Sequence, residues 1–287
     1  MKSLLILVFA FVVSQNILAD DIFIKAGNRA NDNTEINLIS SDNSKTVIDV
    51  KLNGFYNKKI DIQGNLFDNI FLQDFVSLGN EGQAALPTIT KMIAIPNFKK
   101  VRVVINNSQS STFESFDVVP YQPLPLRNTN GISNTFVKDN SYYASNKNFP
   151  LNIVSIKEIA VMRDYRIAVV TINPVQYNPA KKQLKVYTDI NFELRYEGYS
   201  NVNNVTYQEQ GISKSFRNIY KQVIFNYTDN NSFTVAPNMI VIVSDSLYNG
   251  VLPYANWKNK KGIKTVIKRE SEISGSTDPS AQQIKDY

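Results

Sequence analysis

The amino-acid sequence predicts a mainly β protein: an antiparallel β-sandwich over residues 20–199, then from residue 238 the opening β-α-β-α of an α/β domain. Three observations carry that prediction. From Leu184 to Tyr196 apolar residues recur at alternate positions, the period of a strand with one face in a core. Between Asp21 and Tyr199 short β-branched runs are separated by Asn, Gly, Pro and Ser, the spacing of a sandwich or barrel. After Pro237 the pattern changes to a continuous apolar run followed by a 3.6-residue period.

Residues 1–19 read as a secretory signal peptide, with Lys2, an apolar run from Leu4 to Val13, and Ser14-Gln15-Asn16-Ile17-Leu18-Ala19 ahead of Asp20. The run is shorter than the roughly 20 residues that a bilayer-spanning helix needs, and no later segment is apolar enough to span. The mature chain is therefore expected to be secreted or held at the cell surface, without an integral membrane segment.

Strands are predicted at Ile22–Lys25, Ile36–Ile39, Thr46–Leu52, Ile60–Ile62, Lys91–Ile95, Val101–Ile105, Thr112–Val119, Ile153–Val161 and Arg166–Ile172. In the run from Leu184, residues Leu184, Val186, Ile190, Phe192, Leu194 and Tyr196 share one parity and face a core. Lys185, Asp189, Asn191, Glu193 and Arg195 share the other and face water. Turn residues fill Asn173 to Lys182, so this run and Arg166–Ile172 are expected to pair as a long hairpin. Pro120 to Pro150 has little continuous apolar face and reads as an extended surface loop, pinned to the sandwich by Tyr121, Tyr142 and Tyr143.

Residues 200–237 form a connector. Its polar, Asn-rich flanks bracket Phe216, Ile219, Tyr220, Val223 and Ile224 at amphipathic-helical spacing, and few buried contacts are expected to hold it. Beyond Pro237, Met239–Val243 reads as a strand buried on both faces. A helix follows with Tyr248, Leu252, Ala255 and Asn259 on one face and Trp257 packed on the sheet. It is closed by Lys260-Lys261 and a left-handed Gly262. Lys264–Lys268 is a second strand. Asp278-Pro279 should open a second helix with Ala281 and Ile284 inward. Two strands do not make a stable parallel domain, so the reading expects the rest of an α/β domain beyond Tyr287.

Composition narrows the chemistry. The chain has no Cys and no His, so it cannot assemble a thiol nucleophile, an imidazole base, a Ser-His-Asp triad or a soft metal site. Its net charge of +6 is dispersed, which points to solvation rather than to a nucleic-acid partner. The polar clusters Asp20-Asp21 and Asn31-Asp32-Asn33 lack the spacing of a defined calcium loop and read as solvated turns. Asn226-Tyr227-Thr228 is a glycosylation sequon, relevant in a glycosylating host.

Met239–Val243, Tyr254-Ala255-Asn256-Trp257-Lys258-Asn259-Lys260-Lys261-Gly262-Ile263-Lys264-Thr265 and Gln283-Ile284-Lys285 resemble the opening of the catalytic domain of the gingipain-like cysteine peptidases, family C25. Leu86-Pro87, Ile95-Pro96, Arg163-Asp164-Tyr165-Arg166 and Pro174–Pro179 are similar to their pro-domain. The order is also the family's: signal peptide, β pro-domain, connector, peptidase start.

The resemblance implies a secreted zymogen whose pro-domain chaperones and inhibits its own caspase-like peptidase domain, the partner of this chain. That full-length domain would cleave peptide or protein substrates. The family's catalytic Cys and His and its calcium ligands map to no position here, so the chain contributes no catalytic, cofactor or metal residue and is not itself competent. The family preference for Arg or Lys before the scissile bond makes Lys214, Arg217 and Lys221 candidate processing positions, and Arg127 a candidate inhibitory-loop residue. The rival expectation is a secreted β-sandwich binding or adhesion module without catalytic activity.

Overall fold

The computed structural model describes residues 21–29, 32–122, 136–206, 211–229 and 238–287. In chain order the strands are β1 (Ile22–Lys25), β2 (Glu35–Ser41), β3 (Lys45–Lys51), β4 (Gly54–Ile62), β5 (Asn65–Phe71), β6 (Val76–Leu78), β7 (Leu86–Ala94) and β8 (Lys100–Phe113). A short helix α1 (Asn140–Tyr143) precedes β9 (Val154–Met162), β10 (Tyr165–Ile172), β11 (Val175–Asn178) and β12 (Gln183–Glu197). Then come α2 (Lys214–Val223), β13 (Asn238–Val243), α3 (Tyr248–Lys260), β14 (Lys264–Arg269), α4 (Glu270–Ser274) and α5 (Ala281–Asp286). The expected signal peptide and Arg127 lie outside the described residues, as do Asp20 and Asn31.

The chain divides into two compact units. The first holds the described residues up to Thr90, Lys99–Glu158 and Val169–Ser200; the second holds Lys91–Phe98, Ile159–Ala168 and the described residues from Asn201 onward.

The first unit is an antiparallel sandwich organised on β12. Along one edge β12 pairs with β8; along the other it pairs with β11 through Gln183–Val186 and with β3 through Asp189–Arg195. A second sheet, β1-β4-β5, lies against it. Phe55 and Ile70 from that sheet meet Leu52, Val175, Tyr177, Leu184 and Val186 in one buried cluster. The predicted inward parity of β12 holds: Leu184, Val186, Ile190, Phe192, Leu194 and Tyr196 are all buried.

Glu193 departs from the predicted outward face. Its side chain is 4% exposed, because Lys45 and Arg195 close over it. The Arg195 hydrogen bond holds its carboxyl below the ordinary carboxylate range.

The predicted hairpin of Arg166–Ile172 with the long strand does not form. β10 lies between β7 and β9, and β12 instead makes a hairpin with β11, a strand hidden within the supposed turn. The reason is local. Pro174 has no N–H with which to continue the β10 ladder. At that step the Asn173 N–H still donates to the Ile153 carbonyl at 2.8 Å, while the Pro174 carbonyl already accepts from the Tyr187 N–H. The chain changes sheets there. Two predicted strands, Val101–Ile105 and Thr112–Val119, are also replaced by the single 14-residue β8, whose polar middle is held by backbone pairing to β12 rather than by apolar burial. Residues Glu114–Val119 leave that strand, and Val118 is buried beside Asp68, whose carboxylate accepts the Asp117 N–H at 2.8 Å.

In the stretch read as a loop, Asp139 caps α1, and Tyr142 is buried against Phe149 with ring centroids 5.0 Å apart. The Tyr143 hydroxyl donates to the Val118 carbonyl at 2.7 Å. The tyrosines do pin this chain to the sandwich.

Within the second unit, β13 and β14 pair in parallel, with Met239 opposite Thr265 and Val241 opposite Ile267. Lys258 and Lys260 occupy the last turn of α3, and Gly262 follows with φ of 80°, as predicted. Other expectations change here. Val243 is buried and Met239 and Val241 are half-buried, but Ile240 on the opposite face is 61% exposed, so β13 is covered on one side. Trp257 points outward, half exposed, with the Lys258 ammonium 4.8 Å from its ring, because the buried face of α3 runs through Ala255. The cap of α5 is Ser280, not Asp278: its hydroxyl and the Gln283 side chain form a reciprocal capping box, which leaves Ala281 exposed.

Candidate functional site

The three basic residues singled out in the connector all lie on α2, and that helix is built into a folded segment of the second unit. Ser213 starts the helix in extended conformation, its hydroxyl accepting from the Phe216 N–H at 3.3 Å. Ile212 just before it and Ile224 just after the helix are each 3% exposed, and Tyr220 in the middle is fully buried. Of the predicted apolar face, Tyr220 and Ile224 turn inward. Phe216, Ile219 and Val223 remain partly in solvent, because one buried row suffices to seat a helix against a strand end.

What receives Tyr220 is the turn between β9 and β10. Its hydroxyl donates to Asp164 Oδ2 at 2.7 Å, and its ring meets Tyr165 edge-on at 4.9 Å. Burial, then the neighbouring Asp164 carboxylate, pushes the Tyr220 phenol well above its ordinary range; burial does the same to Tyr165, up to about 12. Arg163 adopts a left-handed turn conformation, φ 50°, and lays its guanidinium 4.2 Å from the Phe216 ring centroid. Arg166 is buried and donates to the carbonyls of Pro96, at 2.7 Å, and Val202, at 3.1 Å.

Beyond the helix the segment adds itself to the end of β7. Met92 and Ile224 form a parallel bridge, and the Phe225 N–H donates to the Met92 carbonyl at 2.8 Å. The Asn226 side chain then imitates a strand residue: Oδ1 accepts from the Ala94 N–H at 2.8 Å while Nδ2 donates to the Ala94 carbonyl at 2.9 Å. The sequon nitrogen is thus a structural donor. Upstream, Asn97 and Val205 exchange hydrogen bonds, and Asn204 accepts from Phe98.

Lys214 is exposed in the first helical turn. Arg217 and Lys221, one turn apart, converge on Asp229 at 3.3 and 3.0 Å, and the hydrogen bond from Lys221 lowers the Asp229 carboxyl. Sequence reasoning missed the receiving side. Asp164, Tyr165 and Arg166 had already stood out for their resemblance to a pro-domain and they help hold this segment, but Met92, Ala94, Asn97 and Phe98, which bond its backbone and amide groups, had not. Among the described residues no group of three or more Asp and Glu side chains is arranged to hold a metal ion, and no helix is long and apolar enough to cross a membrane.

Comparison with known proteins places this architecture. The Propeptide_C25 family model matches residues 27–235. Gingipain R2 of Porphyromonas gingivalis is 23% identical over 255 residues, 88% of this chain and 34% of its own. Gingipain R1 of the same species is 26% identical over 212 residues, 72% of this chain and 21% of its own. Lys-gingipain is 27% identical over 232 residues, 77% of this chain and 13% of its own. The chain therefore spans between about an eighth and a third of these relatives' length. Among solved structures, a chain from the complex of P. gingivalis RgpB pro- and mature domains superposes with a TM-score of 0.60 at 22% identity, covering 67% of this chain and 98% of that one. A chain from the study of zymogenic latency of gingipain K gives 0.55 at 23%, covering 62% and 100%.

Proposed function

Because the chain belongs to the Propeptide_C25 family, we propose that it is the N-terminal part of a secreted gingipain-like cysteine endopeptidase zymogen, whose sandwich chaperones and inhibits its own peptidase domain. The observation that carries this reading is the match of the family model to residues 27–235, followed in the same chain by a parallel β-α-β. The chain has no Cys or His, so its part in proteolysis is to bind and restrain, not to cut. Covalent attachment would hold the inhibitor at high effective concentration over the active site, and release would need cleavage in the connector, after Lys214, Arg217 or Lys221. Calcium, on this reading, belongs to the catalytic domain of the longer protein.

Arg127 is the proposed inhibitory side chain, entering a pocket that accepts basic residues. The test is to add the chain in trans to an active gingipain-type peptidase and compare inhibition constants for the parent and Arg127→Ala. A loss below about 1 kcal/mol places Arg127 outside the hot spot. No inhibition by either version removes the inhibitor role and leaves a β-sandwich binding module.

A further inference from the structure

The three candidate bonds lie in a folded helix that is anchored on both of its flanks. Proteolytic nicking falls on exposed, locally unfolded chain, whereas Arg217 and Lys221 are helical, ion-paired to Asp229 and placed on either side of buried Tyr220. The bond after Lys214 is guarded from the other side, by the Ser213 cap and buried Ile212. Two anchors hold the whole stretch. One is Tyr220 on Asp164; the other is Asn226, which satisfies both backbone groups of Ala94 at the end of β7. We propose that residues 211–229 are a latch, and that release of Tyr220 and Asn226 from the β9–β10 turn and β7 must precede any cut in α2.

The anchor at Asn226 gives this latch a directional character. Ile224 makes a single parallel bridge to Met92 and Asn226 pairs with Ala94, so peeling from the C-terminal side breaks the Asp229 ion pairs first, then the Ala94 pair, and reaches Tyr220 last. Ile219 and Val223 are partly exposed, and Tyr220 is the fully buried residue of the helix. The latch explains why a connector carrying three basic residues can persist beside a protease of basic specificity until an opening event exposes it.

The choice of bonds rests on the zymogen reading, but the latch itself is tested with trypsin, which cuts after Lys and Arg whatever the chain's biological role. The whole chain is digested briefly and the cuts after Lys214, Arg217 and Lys221 are timed by mass spectrometry, beside a synthetic peptide of residues 211–229. The folded chain should be cut at least about a hundredfold more slowly than the peptide. Tyr220→Phe and Asn226→Ala should each speed the cuts several-fold, up to about tenfold, the worth of one or two lost hydrogen bonds. Hydrogen exchange on β12 reports whether the sandwich is intact in each variant. Cutting of the parent chain within threefold of the peptide overturns the proposal. So do unchanged rates in variants whose β12 amides stay protected. Should a variant lose that protection, the parent-to-peptide ratio alone decides.

Discussion

β12 and β13 are both built from branched apolar residues, yet one is among the most buried strands of the molecule and the other shows half of its side chains to water. In β12 every inward residue from Leu184 to Tyr196 is at most 5% exposed, with strands on both edges and a second sheet across the core. In β13, Ile240 and Ile242 are 61% and 37% exposed, and Val243 is the one buried residue. The contrast teaches that an apolar run states a demand for burial, and neighbouring elements decide how much of it is met. The sandwich supplies two edges and a facing sheet. For β13 the described residues supply one parallel partner and one helix, so about half of the demand is answered.

The largest expected effect separates the two directly. Phe192→Ala empties a fully buried site in β12 and should destabilise the sandwich by about 3–5 kcal/mol, whereas Ile240→Ala should cost less than about 1 kcal/mol. Urea unfolding followed by far-ultraviolet circular dichroism measures both, and equal losses would erase the distinction drawn here.

A smaller effect should appear at acid pH in the sandwich. Glu193 has its carboxyl lowered by Arg195, so its contribution is present above the ordinary carboxylate pKa and is lost as pH falls through the lowered value. Its partners are nearly half exposed, so the contribution is about 1 kcal/mol. Glu193→Gln should therefore lower stability at pH 7 by that amount and leave it unchanged once the pH has fallen below the lowered Glu193 carboxyl. A constant deficit across that range would mean that Glu193 acts through packing alone.

The smallest effect uses the single tryptophan, Trp257, which lies in α3 and so reports on the β13–β14 segment alone. Being half exposed, it should be readily quenched by iodide. Its emission should also change at lower urea than the circular dichroism of the sandwich, because fewer buried contacts oppose local opening. Coincident transitions would show one cooperative unit.

Much of this arrangement was legible beforehand, and the exceptions share a cause. β1 was placed residue for residue, and β12 was found by its alternation, because a half-buried strand writes its own period. The Gly262 cap was legible for a similar reason, since a left-handed residue after a lysine-rich turn is a local device. β11 was not legible: Val175 to Asn178 is bracketed by two Asn-Pro steps and owes its strand form to the backbone of β12. The middle of β8 likewise has polar residues and a strand's backbone. At the candidate site the helix and its basic residues could be read, but not the docking. Tyr220 looked like any member of an apolar face until Asp164, 56 positions away, received its hydroxyl.

By itself the sequence determined the class of the fold, the inward face of β12, the switch to α/β character after Pro237 and the absence of any thiol or imidazole chemistry. These follow from side-chain type and local period, which act over a few residues. Only the tertiary structure decided that β10 and β12 belong to different sheets, that Glu193 is enclosed, that Trp257 faces water, and that the connector helix is held rather than loose. Each of those turns on a partner distant in the chain, and a hydrogen bond or a buried contact exists only when both of its halves have been brought together.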